Sequence, residues 1–105
     1  MLYEKMKLNA EALKKDNGLT NLMVYPSGDI GNGVTVACEM TMDGNAFVSK
    51  NLLIGKLPAV AGNVLTAVIR SVKCRGLRVV SVQQMIHDIT PERVVGVLHL
   101  VFAEK

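Results

Sequence analysis

Apolar and polar residues alternate most strictly between Val34 and Asp43. There Val34, Val36, Cys38, Met40 and Met42 are interleaved with Thr35, Ala37, Glu39, Thr41 and Asp43. A period of two describes a strand with one buried face and one wet face. Upstream the period changes. Leu2, Met6, Ala10 and Leu13 recur at spacings of four, four and three, which lays them on one face of a helix and leaves Glu4, Lys7, Glu11, Lys14 and Lys15 to solvent. Asn17-Gly18 ends that helix, because both residues tolerate the left-handed conformation that closes one. Leu19 to Tyr25 reads as a strand, and Pro26 to Gly33 as a turn or loop.

Asp43-Gly44-Asn45 makes the next turn, and Phe47 to Ile54 reads as a third strand interrupted by Ser49-Lys50-Asn51. Pro58 suits the first turn of a helix, where a missing N–H costs nothing. Val60, Val64, Val68 and Val72 then form a stripe widened by Ala61, Leu65 and Ile69, with Asn63, Thr66, Arg70 and Lys73 opposite and Gly76 as terminator. Leu77 to Ile89 and Arg93 to Ala103 read as two long strands joined by Thr90-Pro91-Glu92. Their apolar residues fall on both faces: Val95, Val97 and Val101 on one, Val94, Leu98, Leu100 and Phe102 on the other. A strand apolar on both faces is central in its sheet or covered by a second subunit.

These elements predict an α+β fold and a single domain, 1–105, in the order α-β-β-β-α-β-β. The sheet is mostly antiparallel or mixed, with two helices on one face. The succession of helix, Gly-Leu and strand occurs twice, at Gly18-Leu19 and Gly76-Leu77, which makes a duplicated αββ unit a candidate. Beyond that junction the two halves match poorly.

Composition adds an expectation of self-association. Half of the 105 residues are hydrophobic, yet only Tyr3, Tyr25, Phe47 and Phe102 are aromatic. So small a domain hides only part of such content inside itself, and the excess points to burial against another copy or a partner. Cys38 and Cys74 read as free thiols in a reducing compartment; Lys73 and Arg75 flank Cys74, and such cations can activate a thiol. The N-terminus alternates charged and apolar residues and lacks the apolar run of a signal peptide. The longest apolar region, Leu57 to Val72, is interrupted by Pro58, Gly62, Asn63 and Arg70 and falls short of a membrane span. The expected setting is the cytoplasm, with no membrane partner.

Charge supplies the candidate chemistry. The formal net charge is only +3, but no acidic residue stands between Asp43 and Asp88, where Lys50, Lys56, Arg70, Lys73, Arg75 and Arg78 all lie. Cations without compensating carboxylates create a positive field whose natural partner is a polyanion. These six are the candidate nucleic-acid-binding residues, acting by phosphate neutralisation without base readout and with steep salt dependence. The scarcity of aromatic residues argues against a single-strand stacking platform. The bland alternative is solubilising charge, with Arg70, Lys73 and Arg75 complementing a helix dipole.

Leu52-Leu53-Ile54-Gly55-Lys56-Leu57-Pro58, followed by Val64-Leu65-Thr66-Ala67-Val68, resembles the opening strand, basic turn and first helix of the Alba family of small dimeric nucleic-acid-binding proteins. The resemblance covers residues 52–68 and implies that Lys56 is the turn lysine that contacts nucleic acid. The family pattern has a lysine pair where Leu57 follows Lys56 here, and a second helix where this chain continues into a hairpin.

Three further constellations have structural readings. Gly28-Asp29-Ile30-Gly31-Asn32-Gly33 has the glycines of a phosphate cradle, but it lies between strands and lacks a Gly-Lys-Ser/Thr ending, so a hairpin loop is favoured. His87-Asp88 with His99 could hold a metal or move protons. With a two-residue turn the two histidines point to opposite faces; one extra residue would bring them together. The six methionines read as core filling. No catalytic residue, metal site or cofactor is expected. The reading is a small non-enzymatic basic binding protein with nucleic acid as leading ligand. The alternatives are a homo-oligomeric protein-interaction or assembly protein, and a small enzyme or ligand-binding protein with a site at a subunit interface.

Overall fold

The computed structural model describes residues 6, 8–27, 33–71 and 77–104. It is an α+β domain of two helices and four strands: α1 (Ala10–Asn17), β1 (Asn21–Ser27), β2 (Gly33–Asp43), α2 (Ala46–Ser71), β3 (Leu77–Thr90) and β4 (Arg93–Glu104). All strand pairs are antiparallel and the sheet order is β1-β2-β4-β3. Helix, strand, strand therefore occurs twice. β2 and β4 meet in the middle, and β1 and β3 are left at the two edges.

α1 is shorter than its periodicity predicts. Asn9 caps it, its Oδ1 accepting the Ala12 N–H at 3.1 Å, so the helix begins at Ala10. Met6 precedes the helix yet still rests on the core; Leu2 lies outside the described residues. The predicted end is observed: Gly18 adopts φ 65, and the Leu19 N–H reaches the Lys14 carbonyl at 2.9 Å.

The predicted third strand, Phe47 to Ile54, is helix. It forms the first turns of α2, which runs 26 residues through Pro58 to Ser71, so the order is α-β-β-α-β-β. The physical reason lies in burial. Ser49, Leu53, Leu57, Val60, Val64 and Val68 are buried at spacings of four, four, three, four and four, one continuous helical stripe. Asn45 caps this helix, its Oδ1 accepting from the N–H groups of Phe47 and Val48. Pro58 removes one intrahelical hydrogen bond, and Gly55 and Gly62 weaken local propensity. Packing of the stripe on the sheet overrides all three.

The core lies between that stripe and the even-numbered residues of β2 and β4; Val34, Val36, Leu98, Leu100 and Phe102 are inaccessible. Gly96 sits where α2 crosses β4. A Cβ there would lie 3.2 Å from Leu53 Cδ2 and 3.3 Å from both Leu57 methyls, so the missing side chain sets how closely helix and sheet approach. The wet face expected of β2 is only partly wet. Glu39 is exposed, but Thr35 and Ala37 are buried, because the register seats these short side chains between Met23 and Tyr25 on one side and His99 and Val101 on the other.

β4 is central, as its two apolar faces predict. β3 carries the same pattern and lies at an edge. Both of its register irregularities add a residue to β3: Val80, between Val79 and Ser81, and Ile89, between Asp88 and Thr90. Between them Ser81 to Asp88 pair without interruption.

Candidate interaction surface

The four described candidate cations do not all share one surface. Lys50 is engaged by Asp88, its Nζ 2.6 Å from Oδ2. Lys56 and Arg70 are exposed on α2, fourteen residues and therefore about 21 Å apart along its axis. Arg78 pairs with Ala103 and so belongs to the side of the sheet away from the helices. Lys73 and Arg75 lie outside the described residues, as does Cys74. Lys56 itself is mid-helix. The segment resembling a strand, basic turn and helix is one continuous helix, so no strand-to-helix turn carries that lysine.

The histidines are redistributed by the Ile89 bulge. The β3–β4 turn has two residues, Pro91-Glu92, which alone would place His87 and His99 on opposite faces. The bulge restores parity, and both lie on the face away from the helices. Yet His87 stands opposite Val95 and His99 opposite Gln83, four positions or about 13 Å apart. Among the described residues no group of three or more His, Cys, Asp or Glu is placed to hold a metal ion. Burial pushes the Cys38 thiol up to about 11, which makes it inert at neutral pH. A shallow depression of about 840 Å³ between the β2–α2 turn and the β3–β4 turn includes Asp43, Glu92 and Arg93, but Arg93 Nε already holds Asp43 Oδ1 at 2.8 Å. Those turns are further tied by the Gly44 N–H to the Glu92 carbonyl at 2.8 Å. The glycine loop lies outside the described residues between 28 and 32.

The unsatisfied surface is apolar. β3 is a fourteen-residue edge strand; among the described residues no backbone turn or cap hydrogen bond reaches it, and at its end Thr90 Oγ1 accepts the Glu92 N–H at 3.2 Å. Between Arg78 and Asp88 it carries no lysine, arginine or carboxylate. Val82 is 45% exposed on its helix side and Met85 48% exposed on the other. Edge strands normally blunt such a row of free N–H and C=O groups with charge, proline or brevity.

Above this edge runs an exposed flank of α2. Phe47, Ile54, Pro58, Leu65 and Ile69 recur at spacings of seven, four, seven and four, one apolar stripe. Phe47 is 75% exposed, Ile54 59% and Ile69 53%. The opposite flank of α2 faces α1, where Asn63 Nδ2 donates to Asn17 Oδ1 at 2.8 Å. Lys50, between the buried row and the stripe, reaches Asp88 of β3. The stripe therefore overlooks the free edge of β3. The sequence did hold a signal for this surface, the apolar residues on both faces of β3, but reading residues 47–54 as strand concealed the helix flank.

Counting from Phe47 also changes the apolar length. Phe47–Ser71 is long and apolar enough to cross a membrane, with mean hydropathy 1.8, although the stretch from Leu57 alone falls short. Its Leu53, Leu57, Val60, Val64 and Val68 are the cover of the sheet. No protein-family model, curated protein or solved structure matches this chain.

Proposed function

We propose that this chain is a non-enzymatic, homo-oligomeric protein-interaction module, a building block that works by assembly. The observation that carries the reading is the long, uncharged, apolar edge of β3 lying beside the apolar flank of α2. Buried apolar area is the main source of association energy, and strand edges supply directional hydrogen bonds. A polyanion reading requires cations that act on one surface, and Lys50, Lys56, Arg70 and Arg78 are spread over two sides and engaged in part by Asp88. A membrane reading requires α2 to leave the sheet that its buried stripe covers.

Sedimentation of the purified chain at micromolar concentration tests the reading, with and without duplex DNA and RNA, at low and moderate salt. The expected result is a species of at least twice the chain mass that neither nucleic acid alters. A monomer at all accessible concentrations overturns it. So does nucleic-acid binding that weakens steeply as salt rises, with association appearing only on the polymer.

A further inference from the structure

Resting on that assembly reading, we propose that the occupant of the β3 edge is a second copy of this chain. The two copies join β3 to β3 across a two-fold axis at Gln84. This makes one eight-stranded antiparallel sheet with the two α2 helices flank to flank.

The register follows from the strand itself. Bulges at Val80 and Ile89 confine regular pairing to Ser81–Asp88. Directly opposed residues of an antiparallel pair share a face, so a strand paired with its own copy must centre on a residue. Centring on Gln84 sets Val82 against Ile86 of the second copy on the helix side, Gln83 against Met85 on the other side, and Ser81 against His87. Centring on Met85 instead sets Val82 against Asp88, an apolar group against a carboxylate. Centring on Gln83 draws the bulged Val80 into the ladder. Only the Gln84 register sets Val82 against Ile86 on the helix side, with Gln84 against itself on the axis, and leaves Arg78 and Asp88 outside the paired segment.

The helix brings the axis to the same part of β3. α2 begins near the end of β3, where Lys50 meets Asp88, and its end is separated from the start of β3 by five residues, so the two run in opposite directions. Eight residues of helix from Lys50 to Pro58 advance about 12 Å. In a strand about 12 Å is between three and four residues, which leads from Asp88 to Gln84 or Met85. The axis at Gln84 thus passes beside Pro58. About that point the stripe complements itself in part: Phe47 meets Ile69 of the second copy, Pro58 meets its Pro58, Ile54 meets its Gly62, where no side chain obstructs, and Leu65 meets its Asn51.

The spacing also closes. α2 lies over β4 and β3, so two helices related by this axis stand about two to three strand spacings apart, ~10–14 Å. The lower end is the ~8–10 Å of packed helices, and side chains the size of Phe47 and Ile69 fill the remainder. α2 is about 39 Å long, and a ledge of that length and one strand-plus-helix layer, ~15 Å, high offers roughly 600 Å² per copy, about three-quarters of the ~800 Å² of a standard interface.

Cysteine cross-linking tests the register in a Cys74→Ser background, with buried Cys38 retained. In an antiparallel ladder opposed Cα atoms alternate between about 4.5 and 5.5 Å, and the narrower pairs accept a disulfide more readily. Gln84→Cys and the double variant Gln83→Cys with Met85→Cys sample the two phases. On mild oxidation at least one of them is expected to give tenfold more covalent dimer than either Gln83→Cys or Met85→Cys alone. Sedimentation under reducing conditions establishes which variants still associate. If they associate but Met85→Cys alone cross-links best, or none cross-links, the register is overturned and the assembly reading stands. If wild type is a monomer, both fall.

Discussion

The two halves of the molecule share one topology, helix-strand-strand, and expose very different edges. β1 has seven residues, contains Pro26, and is flanked by the capped eight-residue helix α1. β3 has fourteen residues, no proline, and a helix of twenty-six residues whose outer flank is apolar. Brevity and proline end pairing at β1, because proline offers no N–H and seven residues present few sites. Nothing comparable ends it in the middle of β3, where only the bulges at either end set limits. Duplicated topology therefore does not imply duplicated role. Both strands are edges of the sheet, and the assembly proposed above uses β3 alone.

Introducing lysine at each edge breaks the comparison most forcefully. Val82→Lys with Met85→Lys places four charges in a β3–β3 interface and is expected to weaken association about a thousandfold, or about 4 kcal/mol. Met23→Lys with Tyr25→Lys on β1 is expected to leave the sedimenting mass unchanged. Equal effects at both edges would erase the distinction.

The covering helices should differ next. Leu53→Ala, in the inaccessible row of α2, is expected to cost about 3 kcal/mol in denaturant unfolding. Leu13→Ala, on the short α1, should cost about half as much, since that element can settle into the space. A larger loss at Leu13 would place the stabilising half of the core on the wrong side.

Caps sharpen the same contrast at smaller scale. Asn45 accepts two N–H groups and Asn9 one. Asn45→Ala is expected to lower stability by about 1 kcal/mol and Asn9→Ala by less, measured as a shift of the unfolding midpoint.

Cys38, in β2 of the first half, carries a pH-dependent effect. Its thiol is raised from 9.0 to about 11 by burial. The neutral form is favoured in the folded chain, so its contribution is complete below pH 9 and is lost as pH rises towards 11. The stability advantage of wild type over Cys38→Ala should therefore shrink between pH 9 and 11. An advantage constant across that range would show that burial does not hold the proton.

Local patterns read well where one element decides its own surroundings. The alternation at Val34–Met42 gave β2, Gly18 gave the end of α1, and the apolar faces of Val94–Phe102 marked β4 as central. The sequence failed where two patterns overlapped. Residues 47–54 carry enough apolar residues for a strand, and Ser49-Lys50-Asn51 looks like its interruption. Only in three dimensions do Ser49, Leu53 and Leu57 prove to continue the stripe of Val60, Val64 and Val68.

Periodicity determined that this is a small α+β domain, and composition that it has more apolar content than so small a domain hides, since both are properties of the chain alone. Which surface stays open was decided by tertiary structure. Strand order put β3 and not β4 at the edge, a single bulge returned the histidines to one face yet left them far apart, and one long helix carried Lys50, Lys56 and Arg70 to separate places. Charge in sequence is one-dimensional, and a field at a surface depends on where the fold sends each side chain.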